Sequence, residues 1–92
     1  MIGSFRHKGL KRLYASDDGS RIGADLLEKV KRILTALDAA TSEQAMNLPG
    51  YNLHPLKGNL KGFWSVTVSG NWRIIFRFEG GNAKNVDLID YH

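Results

Sequence analysis

The sequence has no cysteine, only two prolines and no long apolar run. Without cysteine there is no disulfide, no thiolate nucleophile and no thiolate metal ligand, a composition that suits a reducing compartment. No stretch approaches the roughly 20 consecutive apolar residues needed to span a bilayer. The opening MIGSFRHKGLKRLY holds no apolar block of the kind that heads a secreted chain, so a cytoplasmic location is expected, with no membrane partner. His7, His54 and His92 lie far apart and show no short-range ligand spacing, so no metal is expected. The GxxxxGK[ST] pattern of a nucleotide phosphate loop is also missing, and no cofactor is predicted.

What remains is a small basic chain with an ordered composition. Its 92 residues, 42% of them apolar, suit one domain over 1–92, burying roughly 60–65% of its unfolded surface. The net charge of +4 is compatible with RNA, DNA or an acidic partner, and also with simple solubility. There is no basic tail, so an anion-binding surface has to be assembled by folding.

Periodicity lays out the elements. Ile2 to Phe5 reads as a short first strand, and a brief helix follows through Leu10, Leu13 and Tyr14 to the Asp17-Asp18-Gly19-Ser20 turn cluster. Ile22, Leu26, Leu27, Val30, Ile33, Leu34 and Leu37 fall at helical spacing. Ser20 or Asp18 is the expected cap. Asp25 with Lys29, and Glu28 with Arg32, are expected i,i+4 pairs. Thr41 to Gly50 reads as a loop. Phe63 to Val68 and Trp72 to Phe78 flank Ser69-Gly70-Asn71, a strong hairpin signal, and Gly80-Gly81-Asn82 turns into a last strand from Ala83 to Tyr91. The predicted fold is α+β with two layers: β-α-α, then an antiparallel sheet packed on the helices. Trp72, Ile74, Phe76 and Phe78 should face the long helix, which turns Arg73, Ile75 and Arg77 the other way.

Several residues can carry chemistry. Arg73 lies among apolar neighbours on a central strand, where its planar fork can grip phosphate oxygens; alternation alone also explains it. Arg77 extends the same face. His54 can exchange a proton near neutral pH or serve as a structural histidine beside Pro55. Lys57 and Lys61 lie in a glycine-punctuated segment and can neutralise phosphates or simply be solvated. Asp90, Tyr91 and His92 offer an acid, a phenol and an imidazole, with alternation placing Asp90 and His92 on one face and Tyr91 on the other. A carboxylate at the end of His92 would call for a cation nearby, from Arg73, Arg77 or Lys57. If these groups converge, the chemistry with the fewest requirements is RNA cleavage by the substrate's own 2′-hydroxyl, which needs neither a protein nucleophile nor a metal.

The motifs Asn47-Leu48-Pro49-Gly50, Leu53-His54-Pro55-Leu56-Lys57-Gly58, Gly62-Phe63-Trp64-Ser65-Val66-Thr67-Val68, Gly70-Asn71-Trp72-Arg73-Ile74 and Asp90-Tyr91-His92 resemble the HigB ("killer protein") toxins of the RelE/ParE superfamily of bacterial type II toxin–antitoxin systems. The resemblance covers essentially the whole chain. It implies a RelE-like fold and a ribosome-dependent, metal-independent mRNA endonuclease that acts in the ribosomal A site, where 16S rRNA helps align the message, and so inhibits translation. It implies catalytic roles for His54, Lys57, Arg73, Asp90, Tyr91 and His92. It also implies a concave sheet face as the site and a cognate helix-turn-helix antitoxin, similar to HigA, through which alone the toxin would meet operator DNA. Two other readings are a ParE-like gyrase inhibitor and a non-catalytic nucleic-acid-binding module.

Overall fold

The apolar stripe folds as one long helix. In the computed structural model, which describes residues 1–91, α1 spans Lys8–Ser16 and α2 spans Ala24–Ala39, burying Leu26, Val30, Ile33, Leu34 and Leu37. Spacings of three and four keep these side chains on one face. Ile22 is buried as well, but in the turn ahead of the helix. Neither Ser20 nor Asp18 caps α2. Gly23 holds the N-cap position without a side-chain bond, and Asp18 accepts instead from the Ser20 amide at 3.1 Å. Both residues lie too far upstream to reach the first free helical amides, and the aspartate closes its own local turn. The expected i,i+4 ion pairs are also absent among the described residues. Lys29 lies 5.3 Å from the Tyr51 ring centroid, while Lys31 reaches Asp17 at 4.0 Å and Arg12 reaches Asp18 at 3.7 Å.

The sheet is antiparallel in the order β1-β2-β3-β4, with β1 at His54–Pro55, β2 at Trp64–Ser69, β3 at Trp72–Glu79 and β4 at Asn82–Asp90. Gly80 and Gly81 sit at φ 58° and 81° between the paired Glu79 and Asn82. A two-residue hairpin of the type that matches strand twist requires positive φ at both positions. The Ile2 to Phe5 segment is not a continuous strand: it makes two isolated parallel bridges, Ile2 to Ala83 and Phe5 to Val86. Between them β4 bulges, with Asn85 at φ 55° donating its amide to the Ser4 hydroxyl at 2.8 Å, so the ladder is interrupted. β4 ends at Asp90, one residue before the expected Tyr91, whose amide still donates to the Asn71 carbonyl at 2.8 Å. Within Thr41 to Gly50 a 3₁₀ turn, Glu43–Met46, drives Met46 fully into the core.

Val66, Val68, Ile74, Phe76, Ala83, Val86 and Leu88 join the buried residues of both helices in the main core, giving the two-layer α+β arrangement. Trp72 shares their parity but is 38% exposed at the strand end. The opposite face is not a bare groove. Leu56, Phe63 and Ile75 bury a second, smaller core there, with Leu60 and Ile89 packed against it. This cluster divides the expected concavity.

The helical layer is tied to the N-terminal segment by one carboxylate. Asp38 Oδ1 accepts from the Tyr14 hydroxyl at 2.7 Å and from the Ile2 amide at 3.0 Å. The Tyr14 bond first, and the Ile2 amide second, hold the Asp38 carboxyl below its usual range, and the same bond pushes the Tyr14 phenol up. A carboxyl pKa lowered in this way stabilises the folded state above the ordinary aspartate range at about pH 4, and that stabilisation is lost as pH falls through the lowered value. The raised phenol acts the other way: its contribution is present below about pH 10 and is lost above it.

Tyr14→Phe should therefore lower the melting temperature at pH 7 by about 2–5 °C, a modest figure because the pair is solvent-screened. It should also narrow the difference between melting temperatures at pH 7 and pH 3. Ile75→Ala should cost about 2–4 kcal/mol in urea unfolding, as expected for a fully buried side chain in a small core with little room to collapse.

Candidate active site and nucleic-acid interface

Strand register arranges the face away from the helices in rows. One row is Thr67, Arg73 and Ile89; the next is His54, Ser65, Ile75 and Asp87; a third holds Arg77 and Lys84. On ideal sheet spacings His54 and Arg73 are roughly 12 Å apart at Cα, a span their side chains and one nucleotide can bridge. His54 and Arg73 are thus brought to one face, while Arg77 lies beyond the small core that Ile75 anchors.

The segment from Leu56 to Phe63 explains where the lysines point. It is closed at its base by the Leu56 amide donating to the Phe63 carbonyl at 2.9 Å and is tightened by a 3₁₀ turn, Gly58–Leu60. Leu56, Leu60 and Phe63 pack down onto Ile75 and Ile89. Lys57 and Lys61, interleaved with them, are left exposed.

His54 is held from two sides. Its Nδ1 lies 3.0 Å from the Asn52 carbonyl oxygen, and its Nε2 lies 3.3 Å from the Ser65 hydroxyl. Asn52 adopts φ 50°, an unusual backbone for a residue with a side chain. Ser65 is 1% exposed.

Arg73 is anchored by the hairpin it follows. Its Nη1 donates to the Gly70 carbonyl at 2.7 Å and to the Trp72 carbonyl at 3.1 Å, while its buried Nε has no hydrogen-bond partner among the described residues. Arg77 Nε is buried in the same way, 3.7 Å from Glu79. The guanidinium carbons of Arg6 and Arg77 lie 5.7 and 6.0 Å from the Phe63 ring centroid, so Arg6 joins the basic surface.

At the chain end, Asp90 pairs with Trp72, which puts it one step off the Arg73 row. Tyr91, two positions after Ile89, returns to the parity of Arg73 and is 44% exposed. His92, its expected coupling to Asp90 and the neutralisation of its carboxylate lie outside the described residues. No group of histidine, aspartate or glutamate suited to a metal ion occurs among the described residues, and no helix there is long and apolar enough to cross a membrane.

Sequence reasoning missed Asn52, Ser65 and Arg6. Ser65 left a faint trace, as the single hydroxyl between Trp64 and Val66, but its meaning depends on the His54–Ser65 pairing, which no local pattern reveals.

The chain matches the family described as the RelE-like toxin of the type II toxin–antitoxin system HigB over residues 3–92. It is 45% identical over 92 residues to Endoribonuclease HigB of Proteus vulgaris, covering 100% of both chains. It is 36% identical over 86 residues to Toxin HigB-1 of Vibrio cholerae, covering 91% of this chain and 90% of the relative. Among solved structures, its fold is similar to that in the YoeB–YefM complex from Staphylococcus aureus, with TM-score 0.64, 16% identity and coverage of 100% and 98% of the two chains. A YoeB/ParE toxin from Agrobacterium tumefaciens gives TM-score 0.55 at 19% identity, covering 100% and 99%. These structures share the fold, and the sequence matches carry the family: this chain belongs to the HigB family of RelE-like toxins of type II toxin–antitoxin systems.

Proposed function

We propose that this toxin is an endoribonuclease that cuts mRNA in the ribosomal A site without a metal. The observation that carries the reading is the placement of His54 and Arg73 on one sheet face, away from the helices. Full-length similarity to a relative named an endoribonuclease supports it.

In the proposed reaction a base removes the proton from the substrate 2′-hydroxyl, and O2′ bonds to the adjacent phosphorus. The bond from phosphorus to O5′ breaks, and an acid supplies the proton to O5′. The products are a 2′,3′-cyclic phosphate and a 5′-hydroxyl. His54 and His92 exchange the two protons; Asp90, which lies off the Arg73 row at the end of β4, touches no phosphate and acts only by orienting His92. Arg73 and Lys57 stabilise the charge that gathers on the phosphorane-like state. An unmet buried N–H costs about 1–3 kcal/mol, so a phosphate that draws the Arg73 guanidinium toward it also relieves an orphaned donor. Tyr91 contacts the nucleotide, and Arg77 and Lys61 extend the grip on the backbone. A domain this small holds little mRNA by itself, so 16S rRNA in the A site supplies part of the alignment. A helix-turn-helix antitoxin, similar to HigA, neutralises the toxin and carries it to operator DNA. The YoeB–YefM complex is a structural precedent for a chain of this fold bound in a complex.

Programmed ribosomes incubated with the protein should yield A-site cleavage, and Arg73→Ala should reduce the rate by roughly 10²–10³, the usual effect of removing a group that stabilises developing charge. Deletion of His92 should abolish cleavage, and a C-terminal tag should impair it more than an N-terminal one. Cleavage indifferent to Arg73→Ala and to loss of His92 contradicts the site. A phosphorothioate at the scissile linkage should show no rescue by Mn²⁺ or Cd²⁺, whereas rescue would point to a metal at the phosphate.

A further inference from the structure

We propose that Ser65 is a positioning residue that, with the Asn52 carbonyl, holds His54 in one tautomer and presents Nε2 as the nitrogen that exchanges the proton. The inference rests on the reading of His54 as a proton carrier. Among the described residues Ser65 is the single buried polar side chain, 1% exposed in a strand whose neighbours Val66 and Val68 are core residues. A buried hydroxyl needs a partner, and the partner here is His54 Nε2 at 3.3 Å.

The second contact favours the same tautomer. A carbonyl oxygen only accepts, so the nitrogen 3.0 Å from the Asn52 oxygen, Nδ1, carries a hydrogen. In the neutral ring Nε2 is then the lone-pair nitrogen, and the Ser65 hydroxyl donates to it. In the imidazolium, Nε2–H donates and the rotated Ser65 hydroxyl accepts, while the Asn52 bond is unchanged. The same two partners thus hold the ring in both charge states, and protonation at Nε2 requires no movement of the imidazole plane. The other tautomer would set an unprotonated nitrogen against the carbonyl, and flipping the ring would replace Nδ1 there with a carbon.

Local structure supplies both partners. Asn52 at φ 50° bends the chain so that its carbonyl meets the ring two residues later. Pairing of His54 with Ser65 in the β1–β2 ladder places the hydroxyl beside Nε2. Pro55 restrains the His54 backbone to an extended form. The Ser65 contact lies at the long end of hydrogen-bond range, so a substrate hydroxyl reaching the exposed ring can compete for Nε2 while Nδ1 stays bonded. Ser65 is too buried to touch RNA and acts through His54.

The test is nitrogen-15 NMR of the His54 ring in the free protein, above its titration, paired with single-turnover cleavage on programmed ribosomes as a function of pH. The native protein should show the Nδ1–H tautomer. Ser65→Ala, which keeps the packing, should make the Nε2–H tautomer detectable, lower the cleavage rate about tenfold and displace the pH profile. Ser65→Thr, which keeps the hydroxyl, should restore the native tautomer and profile, with melting curves confirming that both variants are folded. An unchanged tautomer in Ser65→Ala, or an Nε2–H tautomer in the native protein, overturns the proposal. A changed tautomer with an unchanged rate and pH profile upholds the clamp and instead removes His54 from the proton transfer.

Discussion

The arrangement depends on strict alternation along β3. Ile74 and Phe76 are fully buried under the helices, so Arg73, Ile75 and Arg77 have to emerge on the other face. A one-residue slip would drive two guanidinium groups into the apolar core, and each unpaired buried charge costs several kcal/mol. It would also expose Ile74 and Phe76. The register of the whole sheet is therefore set by the same residues that turn Arg73 to the face away from the helices. β3 is paired on both sides, so Arg73 stands on an interior strand.

The small core around Ile75 has a different role. Leu56, Leu60 and Phe63 settle on that residue and on Ile89, and in doing so they hold a glycine-rich segment that would otherwise have little to pack against. The outward positions of the same segment carry Lys57 and Lys61. His54 leads into it, with its ring nitrogens within hydrogen-bond reach of the Asn52 carbonyl and the buried Ser65 hydroxyl. The candidate site side chains thus sit at the edges of an apolar plug. Asp38, bonded to Tyr14 and Ile2, plays a comparable role on the opposite side, where it joins α1, α2 and the N-terminal segment.

Much of this was legible in the sequence where one local signal dominates. The 3.6-residue spacing of Leu26, Val30, Ile33 and Leu37 gave away α2, and Ser69-Gly70-Asn71 and Gly80-Gly81-Asn82 marked the two hairpins because turn geometry demands those residues. Features set by partners distant in sequence were not legible. Ile2 to Phe5 carries strand-forming residues but meets a bulge at Asn85, which belongs to the other end of the chain. β1 is two residues long and has no pattern of its own; it exists because Ser65 and Trp64 pair with it. The spread of candidate residues over His54, Lys57 and Arg73 was visible as chemistry. The parity that puts Tyr91 rather than Asp90 in line with Arg73 was not, because it depends on the β3–β4 register. The family resemblance came from the joint motifs along the whole chain, which composition and periodicity alone could not supply.

The proposed reaction turns on one chemical claim, that the nucleophile belongs to the RNA and the protein only positions it, moves protons and stabilises charge. The direct measurement is cleavage on programmed ribosomes of two messages identical except for a single 2′-deoxy nucleotide immediately 5′ of the scissile phosphate. The account predicts that the unmodified message is cut to a 2′,3′-cyclic phosphate and a 5′-hydroxyl, and that the deoxy message binds but is not cut at that linkage. Cleavage of the deoxy linkage at a comparable rate, or a 5′-phosphate product from either message, would contradict it.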